Sequence, residues 1–245
     1  MAGHSKWANI RHRKGAQDKK RSKIFTRIAK EITISARIGG DNIDSNSRLR
    51  RAVSNAKSNN MASDKIERAI KKGIGDVMGA VYEEIIYEGY TPGGAAIIVN
   101  VITDNKNRSV ADIRYIFNKY NGNLGENGSV AWMFDTKGQI TIASNSHNEN
   151  KIFEELIELG AEDFIEYDEL YAVRTSSSDL MRIRDSMEAI GYSIMSAEIE
   201  MVPKNLQKLN QLDSDLTIRL LNCLEDNEDV SKVYTNFDYS KKILQ

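Results

Sequence analysis

The sequence predicts an α+β protein of three domains, in which a basic three-helix N-terminal domain precedes two ferredoxin-like α/β domains, the last inserted into the middle one. The charge divides the chain of 245 residues sharply: residues 1–75 hold 19 Lys or Arg and 6 Asp or Glu, whereas the remainder holds 15 and 29. The hydrophobic pattern changes near residue 81 from helical spacing to runs rich in residues that favour β-strands. Residues 137–202 then show a complete strand-helix-strand, strand-helix-strand order.

The N-terminal domain is expected to comprise residues 1–78. Helical spacing of apolar residues predicts one helix over about residues 17–38 and a second around residues 49–56. A third helix is expected to begin at Ser63, acting as N-cap, and to end at Gly73. Each helix has a narrow apolar stripe, so the three helices are expected to pack on one another.

The middle domain is expected to combine residues 79–135 with the C-terminal residues 204–245. Its predicted elements are a hairpin of residues 81–90 and 95–102, a helix over 108–120, a strand over 129–134, and a final helix and strand over 214–225 and 231–239. The tail supplies the last helix and strand of this domain, so residues 136–203 are predicted to be an inserted ferredoxin-like domain.

The segment from Lys6 to Lys30 carries ten cations against a single acid, Asp18. So many like charges repel one another unless a polyanion neutralises them, which favours phosphate contacts over a merely solvated surface. The predicted nucleic-acid-binding residues are Lys6, Arg11, Arg13, Lys14, Lys19, Lys20, Arg21, Lys23, Arg27 and Lys30. The opposite charges of the two halves also predict attraction between them, which would partly mask these cations.

A second polar cluster, Asp104, Asn105, Lys106, Asn107 and Arg108, lies where the helix of the middle domain is expected to begin. These residue types are usual at a helix N-cap, which is the favoured interpretation. The alternative is a polar or anion site held by the two cations at the helix start.

No enzymatic motif is recognisable, and a non-enzymatic protein without cofactor, metal or small-molecule substrate is expected. The three histidines and Cys223 lack metal-ligand spacing. The glycine-rich segment of residues 122–128 lies between a predicted helix and a strand, whereas a nucleotide-binding loop follows a strand and precedes a helix. No apolar run suits a membrane span or a secretion signal, so a cytoplasmic location without membrane contact is expected.

Several segments of this chain resemble the YebC/PmpR family. They are MAGHSKWANIRHRKGAQD (residues 1–18), KIF (23–25), ARIGG (36–40), IERAI (66–70), YEGY (87–90), TDNKNR (103–108) and GNLG (122–125). The resemblance implies three domains and a regulatory rather than catalytic role. Family members are described as promoter-binding transcriptional regulators and as factors acting on ribosomes, and the mitochondrial member is a translational activator of a cytochrome oxidase subunit.

The sequence therefore predicts a nucleic-acid-binding regulator of gene expression, resembling the DNA-binding transcriptional regulators of that family. Its partner would be a nucleic acid, either promoter DNA or ribosomal RNA, and the physical arguments alone favour RNA. One alternative is a translation factor that binds ribosomal RNA or the ribosome, because neither a clear helix-turn-helix nor a dimerising zipper is visible. A second alternative is a protein-interaction scaffold whose acidic domains bind a basic partner. The sequence leaves the oligomeric state open.

Overall fold

A computed structural model describes residues 17–143, 149–167 and 170–238 of the chain. Its helices are α1 Gln17–Gly39, α2 Ser47–Ser58, α3 Ser63–Ile74, α4 Lys106–Lys119, α5 Glu149–Glu158, α6 Leu180–Ala189 and α7 Gln211–Asp226. Its strands are β1 Glu83–Tyr90, β2 Ala96–Thr103, β3 Asn123–Leu124, β4 Phe134–Ala143, β5 Asp163–Tyr167, β6 Leu170–Ser176, β7 Ile194–Pro203 and β8 Val230–Thr235. The three N-terminal helices and two antiparallel sheets with helices confirm the predicted fold class.

Helices α1, α2 and α3 share one small apolar core. Ile28 and Ile32 of α1 pack with Leu49 and Val53 of α2 and with Ile66 of α3, and all five side chains are buried. Their recurrence at helical spacing explains why the sequence located all three helices. The buried stripe is narrow, so the outer faces of the helices remain for charged side chains.

The predicted ends of α3 were wrong in detail. Its N-cap is Ala62, which makes no side-chain capping bond, and Ser63 is the first helical residue. The helix continues through Gly73, and Gly75 ends it in a left-handed conformation with φ of 91°. Gly73 serves packing instead: a Cβ there would lie 2.5 Å from the carbonyl oxygen of Thr33 on α1. The glycine therefore permits close contact between two helices.

The first sheet has the strand order β3-β1-β2-β8. Strands β1 and β2 form the predicted hairpin, with Ile86 opposite Asn100, and β8 pairs with β2 through Tyr234 opposite Ile98. Helices α4 and α7 cover one face, where Val99, Phe117 and Leu220 are fully buried. The C-terminal tail thus completes the first sheet, as its pattern indicated.

The strand predicted over residues 129–134 was wrong. The buried carboxylate of Glu88 accepts hydrogen bonds from the backbone amides of Gly128, Val130 and Ala131 at 2.7 to 2.8 Å. Those amides are consequently not available to a strand ladder, and residues 131–133 form a 3-10 turn. The remaining strand of the sheet is the short β3, which lies within the glycine-rich segment.

The second sheet has the order β5-β6-β4-β7 and the split βαβ connections predicted for it. Helices α5 and α6 pack on one face, over a core that includes Ile140, Val173 and Ile183. Strand β4 leaves the first region at Phe134, which pairs with Pro203 where β7 ends. We propose the domain division 1–78, 79–135 with 204–245, and 136–203.

None of the helices in the described ranges combines the length and the apolar character needed to cross a membrane.

Substituting Leu220 should destabilise the first sheet region, because this residue of α7 is fully buried in its core. Leu220→Ala is expected to lower the free energy of unfolding by about 2 to 5 kcal/mol. Leu212→Ala, on the same helix but 69% exposed, should change it by less than about 0.5 kcal/mol. Urea unfolding followed by circular dichroism measures both. Equal effects would show that α7 does not pack as described.

Candidate nucleic-acid interface

The ten cations predicted to bind phosphate fall into three groups. Lys6, Arg11, Arg13 and Lys14 lie outside the described residues. Lys19, Lys20 and Arg21 lie in the first two turns of α1. Lys23, Arg27 and Lys30 follow on the same helix, and their side chains lie in the described part of the chain. The first two groups keep their predicted role as a proposal.

Lys23, Arg27 and Lys30 contact the end of α7 and the residues that follow it. The Nζ of Lys23 lies 3.4 Å from an Oδ1 of Asp226, and Arg27 donates to the carbonyl oxygen of Glu225. Carbonyl groups at a helix C-terminus have no partner within the helix and carry partial negative charge, so cations are stabilised there. These three cations therefore bind another part of the same chain, as the opposite charges of the two halves suggested.

Asp229 is the centre of this contact. Its Oδ1 lies 2.9 Å from the Nζ of Lys30, and its Oδ2 accepts from Ser109 at 2.8 Å and from Arg108 at 2.7 Å. The hydroxyl of Thr103, at the end of β2, lies 3.2 Å from the same oxygen. Burial by itself raises the pKa of Asp229, but hydrogen bonds from Arg108, Lys30 and Ser109 outweigh it and lower the pKa to about 2.

The cluster of residues 104–108 confirms the helix-cap interpretation. Asn105 is the N-cap of α4, and its side chain accepts from the amide of Arg108 at 3.1 Å. Lys106 pairs with Glu83, and Arg108 pairs with Asp104 and with Asp229. Asn107 is an exposed residue of the first turn. The anion that Arg108 holds is thus a carboxylate of this chain.

An open groove of about 610 Å³ runs between α1 and α3. One wall carries Lys65, Arg68 and Lys72 of α3, and Phe25 and Tyr82 contribute aromatic rings. The Nζ of Lys72 lies 4.5 Å from the ring centroid of Tyr82, and that of Lys65 lies 5.8 Å from the ring of Phe25. Basic side chains interleaved with aromatic rings are typical of surfaces that bind nucleic acids.

The cations of the groove wall form fewer ion pairs than Lys23 and Lys30 on α1. In the part of the chain that the structure describes, neither Lys65 nor Arg68 forms an ion pair. Among the described residues, the polar partner of Lys72 is uncharged: its Nζ lies 3.4 Å from the hydroxyl of Tyr82. The wall can therefore accept phosphate groups without breaking an internal ion pair.

The analysis of the sequence did not select Lys65, Arg68 and Lys72. Their spacing of three and four residues places them on one side of α3, which was the available signal. Asp64 and Glu67 lie one residue before Lys65 and Arg68, so the local composition conceals a basic stripe beside an acidic one.

The described side chains include no group of three His, Cys, Asp or Glu residues that could hold a metal ion. The candidate site is therefore defined by its cations and aromatic rings.

Comparison with known proteins assigns both parts of the chain to one family. Residues 5–76 match the family described as "TACO1/YebC protein N-terminal domain". Residues 82–237 match that described as "TACO1/YebC second and third domain".

Full-length relatives have similar sequences. A protein of Desulfosudis oleivorans named "probable transcriptional regulatory protein" is 51% identical over 99% of both chains. One of Magnetococcus marinus with the same designation is 50% identical over 100% of this chain and 98% of its own length. A crystal structure of a conserved hypothetical protein, Aq1575 of Aquifex aeolicus, superposes with a TM-score of 0.90 at 40% identity, covering 98% of this chain and 99% of the other.

Removing the charge of Asp229 should release α1 from α4 and α7. Because its pKa is lowered to about 2 from an ordinary value of 3.8, this carboxylate stabilises the fold above about pH 4 and ceases to do so as the pH falls toward 2. Asp229→Asn is expected to lower the free energy of unfolding by about 2 to 4 kcal/mol at pH 7. The difference in this free energy between the variant and the unchanged protein should shrink below pH 4.

Urea titrations between pH 3 and pH 7 measure this dependence. Asp226→Asn is the matched control, because its carboxylate pairs with Lys23 while 59% exposed, and an exposed pair contributes less than about 1 kcal/mol. If the two variants lost equal stability at pH 7, Asp229 would not be the centre of the contact.

Proposed function

This chain belongs to the TACO1/YebC family, and on that basis we propose that it is a nucleic-acid-binding regulator of gene expression. The groove between α1 and α3 is the observation that carries the proposal. Its wall presents Lys65, Arg68 and Lys72 beside two aromatic rings. The names of its relatives describe transcriptional regulation, which makes promoter DNA the first candidate for its ligand.

We propose that the basic segment at the start of the chain takes part in the same phosphate contacts. Ser22, Phe25 and Thr26 of α1 line the groove, and Lys19, Lys20 and Arg21 precede them on the helix. A polyanion that lies in the groove and continues past the start of α1 would meet both sets of cations. Lys23, Arg27 and Lys30 hold α7, so we assign them to positioning the groove and not to the first phosphate contacts.

A translation factor that binds structured RNA or the ribosome is the alternative. Helix α3 follows α2 after four residues, a connection length found in helix-turn-helix proteins. A recognition helix contacts DNA with its N-terminal residues, yet the first turns of α3 carry Asp64 and Glu67, which would face phosphates. Binding along the groove keeps these acids outside and requires only shape and phosphate contacts, as in RNA recognition.

A protein-interaction scaffold is the remaining alternative. The residues after position 75 include 29 acidic and 15 basic residues, and this negative net charge would suit a basic protein partner. This alternative requires that reversing the charges of Lys19, Lys20 and Arg21 leaves activity unchanged.

The salt dependence of binding tests the phosphate contacts. If about five to seven cations neutralise phosphates of a duplex, the logarithm of the association constant should fall with a slope of roughly −4.5 to −6 against the logarithm of salt concentration. Lys65→Glu with Arg68→Glu should reduce the magnitude of that slope by about 2 and weaken binding roughly 10- to 100-fold near 0.1 M salt.

The matched control is Lys208→Glu with Arg219→Glu, which makes the same charge change on exposed positions around α7. Fluorescence anisotropy with a labelled duplex and a labelled structured RNA gives both quantities. Equal weakening by the two double variants would indicate a general charge effect and would overturn the groove as the binding surface.

Competition between ribosomes and a promoter-length duplex decides between the two nucleic-acid functions. The protein is offered both at physiological salt, with the variant carrying Lys19→Glu, Lys20→Glu and Arg21→Glu as control. Preference for a duplex that also discriminates between sequences is the expected result for a transcriptional regulator. Preference for ribosomes that is lost in the variant would establish the translation factor. Regulatory activity that the variant retains in full would establish the scaffold.

A further inference from the structure

The outer side of α4 carries a basic and aromatic surface outside the groove. The inner side of this helix packs on the core of the first sheet region, where Ile113 and Phe117 are buried. The outer side presents four exposed side chains, which are related by steps of three and four residues and therefore share one face of the helix. They are Arg114, Tyr115, Asn118 and Lys119.

The composition of α4 differs from that of the acidic part of the chain around it. Residues 76–245 hold 15 Lys or Arg and 29 Asp or Glu. Four of those cations but only one of the acids, Asp112, lie within residues 106–119. The helix is therefore a positively charged segment within a part of the chain whose net charge is negative, which favours an anionic partner at this place.

The cations at the two ends of α4 differ in their contacts. Lys106 and Arg108, in the first turn, pair with carboxylates of the chain. Among the described residues, neither Arg114 nor Lys119 forms an ion pair. No acidic residue lies three or four positions away from either of them, so the helix itself offers them no partner. Both can accept phosphate groups without the loss of an internal ion pair.

An aromatic ring accompanies these two cations. The side chain of Tyr115 is 64% exposed, and the Nζ of Lys119 lies 5.9 Å from the centroid of its ring. The same Nζ lies 5.3 Å from the ring centroid of Tyr120, which is half-buried against the core. Lys119 is thus held between a fixed ring and an exposed one, and a base that stacks on Tyr115 has a cation beside it for its phosphate.

The exposed ring selects the kind of nucleic acid. Bases in a duplex are stacked on one another and do not offer a free face to a side chain, whereas unpaired bases in RNA loops and ends commonly stack on aromatic rings. An acidic peptide would neutralise the two cations but would leave the ring of Tyr115 without a partner. The combination of ring and cations therefore favours an unpaired segment of RNA.

We propose that the outer side of α4 is a second nucleic-acid contact, which binds an unpaired RNA segment by stacking a base on Tyr115 and holding the neighbouring phosphates with Arg114 and Lys119. This inference rests on the proposed nucleic-acid-binding function and adds a surface to it. None of these three residues lines the groove, so the two surfaces can be altered separately.

One RNA molecule can reach both surfaces. Lys30 lines the groove and pairs with Asp229, which also holds Arg108 at the start of α4. From Arg108 to Lys119 the helix rises by about 17 Å, a distance that roughly five phosphates of one strand cover at about 3.4 Å each.

Fluorescence anisotropy of the full-length protein tests this surface, with a labelled single-stranded RNA of about twelve nucleotides and with a duplex of the same sequence. Tyr115→Ala should weaken binding of the single strand about five- to 100-fold and change binding of the duplex less than about two-fold. Tyr115→Phe keeps the ring and should bind the single strand within about two-fold of the unchanged protein. Arg114→Gln with Lys119→Gln should reduce the magnitude of the salt slope for the single strand by about 1.4.

The matched controls lie elsewhere on the surface. Trp132→Ala removes an aromatic side chain with the same exposed fraction of 64%, and Lys208→Gln with Arg219→Gln removes two exposed cations. Neither control should weaken binding of the single strand by more than about two-fold. Equal weakening by Trp132→Ala, equal losses for single strand and duplex in Tyr115→Ala, or unchanged binding by Tyr115→Ala would overturn the proposal.

The groove variant separates this inference from the function on which it rests. If Lys65→Glu with Arg68→Glu weakened RNA binding while Tyr115→Ala did not, the groove would remain the binding surface and the contact at α4 would be refuted. If the unchanged protein bound neither the single strand nor any duplex, the nucleic-acid-binding function would fail and this inference with it.

Discussion

A carboxylate that stays ionised inside a protein needs several donors, and Asp229 obtains them from α1, from the end of β2 and from the start of α4. The position of the N-terminal helices relative to the first sheet depends on this requirement. Further polar contacts also join the N-terminal helices to the sheets. Arg48 of α2 bridges Glu31 and Glu84, and Asn55 donates to Glu198 of the second sheet at 2.7 Å. Directional bonds between charged groups thus set the arrangement of the helices on the two sheets, whereas apolar packing sets the interior of each part.

The two sides of α1 have different tasks because of this arrangement. One side carries Lys23, Arg27 and Lys30 to the carbonyl end of α7, where helix polarity and acidic side chains hold them. The side next to α3 forms the groove. A ligand in the groove therefore lies on a helix whose opposite side is fixed to the first sheet region, and binding does not have to order that part of the surface.

The fold was largely readable from the sequence because each core has a regular pattern, such as the spacing of Leu49, Val53 and Ala56 on α2 or the nearly continuous apolar run along β2. The strand prediction for residues 129–134 failed because a distant side chain, Glu88, binds the backbone amides, and no local sequence pattern indicates such a contact.

The candidate site was harder to predict from the sequence than the fold was. A run of cations indicates that an anion is near, but whether it is a phosphate or Asp229 depends on tertiary contacts. Conversely, the acidic residues beside Lys65 and Arg68 lower the local net charge, so the composition did not identify the groove.

The paired ends of the inserted domain also bear on how the chain reaches its native topology. Closing the first sheet joins distant segments, since the amide of Ala96 donates to Asn236, 140 residues away. About half of that separation is the inserted domain, which has its own core and whose ends meet at Phe134 and Pro203. Once this domain has folded, its residues no longer count as flexible loop, and the entropy lost on closing the sheet falls by about 0.6 kcal/mol. An insertion that lengthens the polypeptide thereby shortens the effective loop, and the order of folding that it favours is the inner domain first.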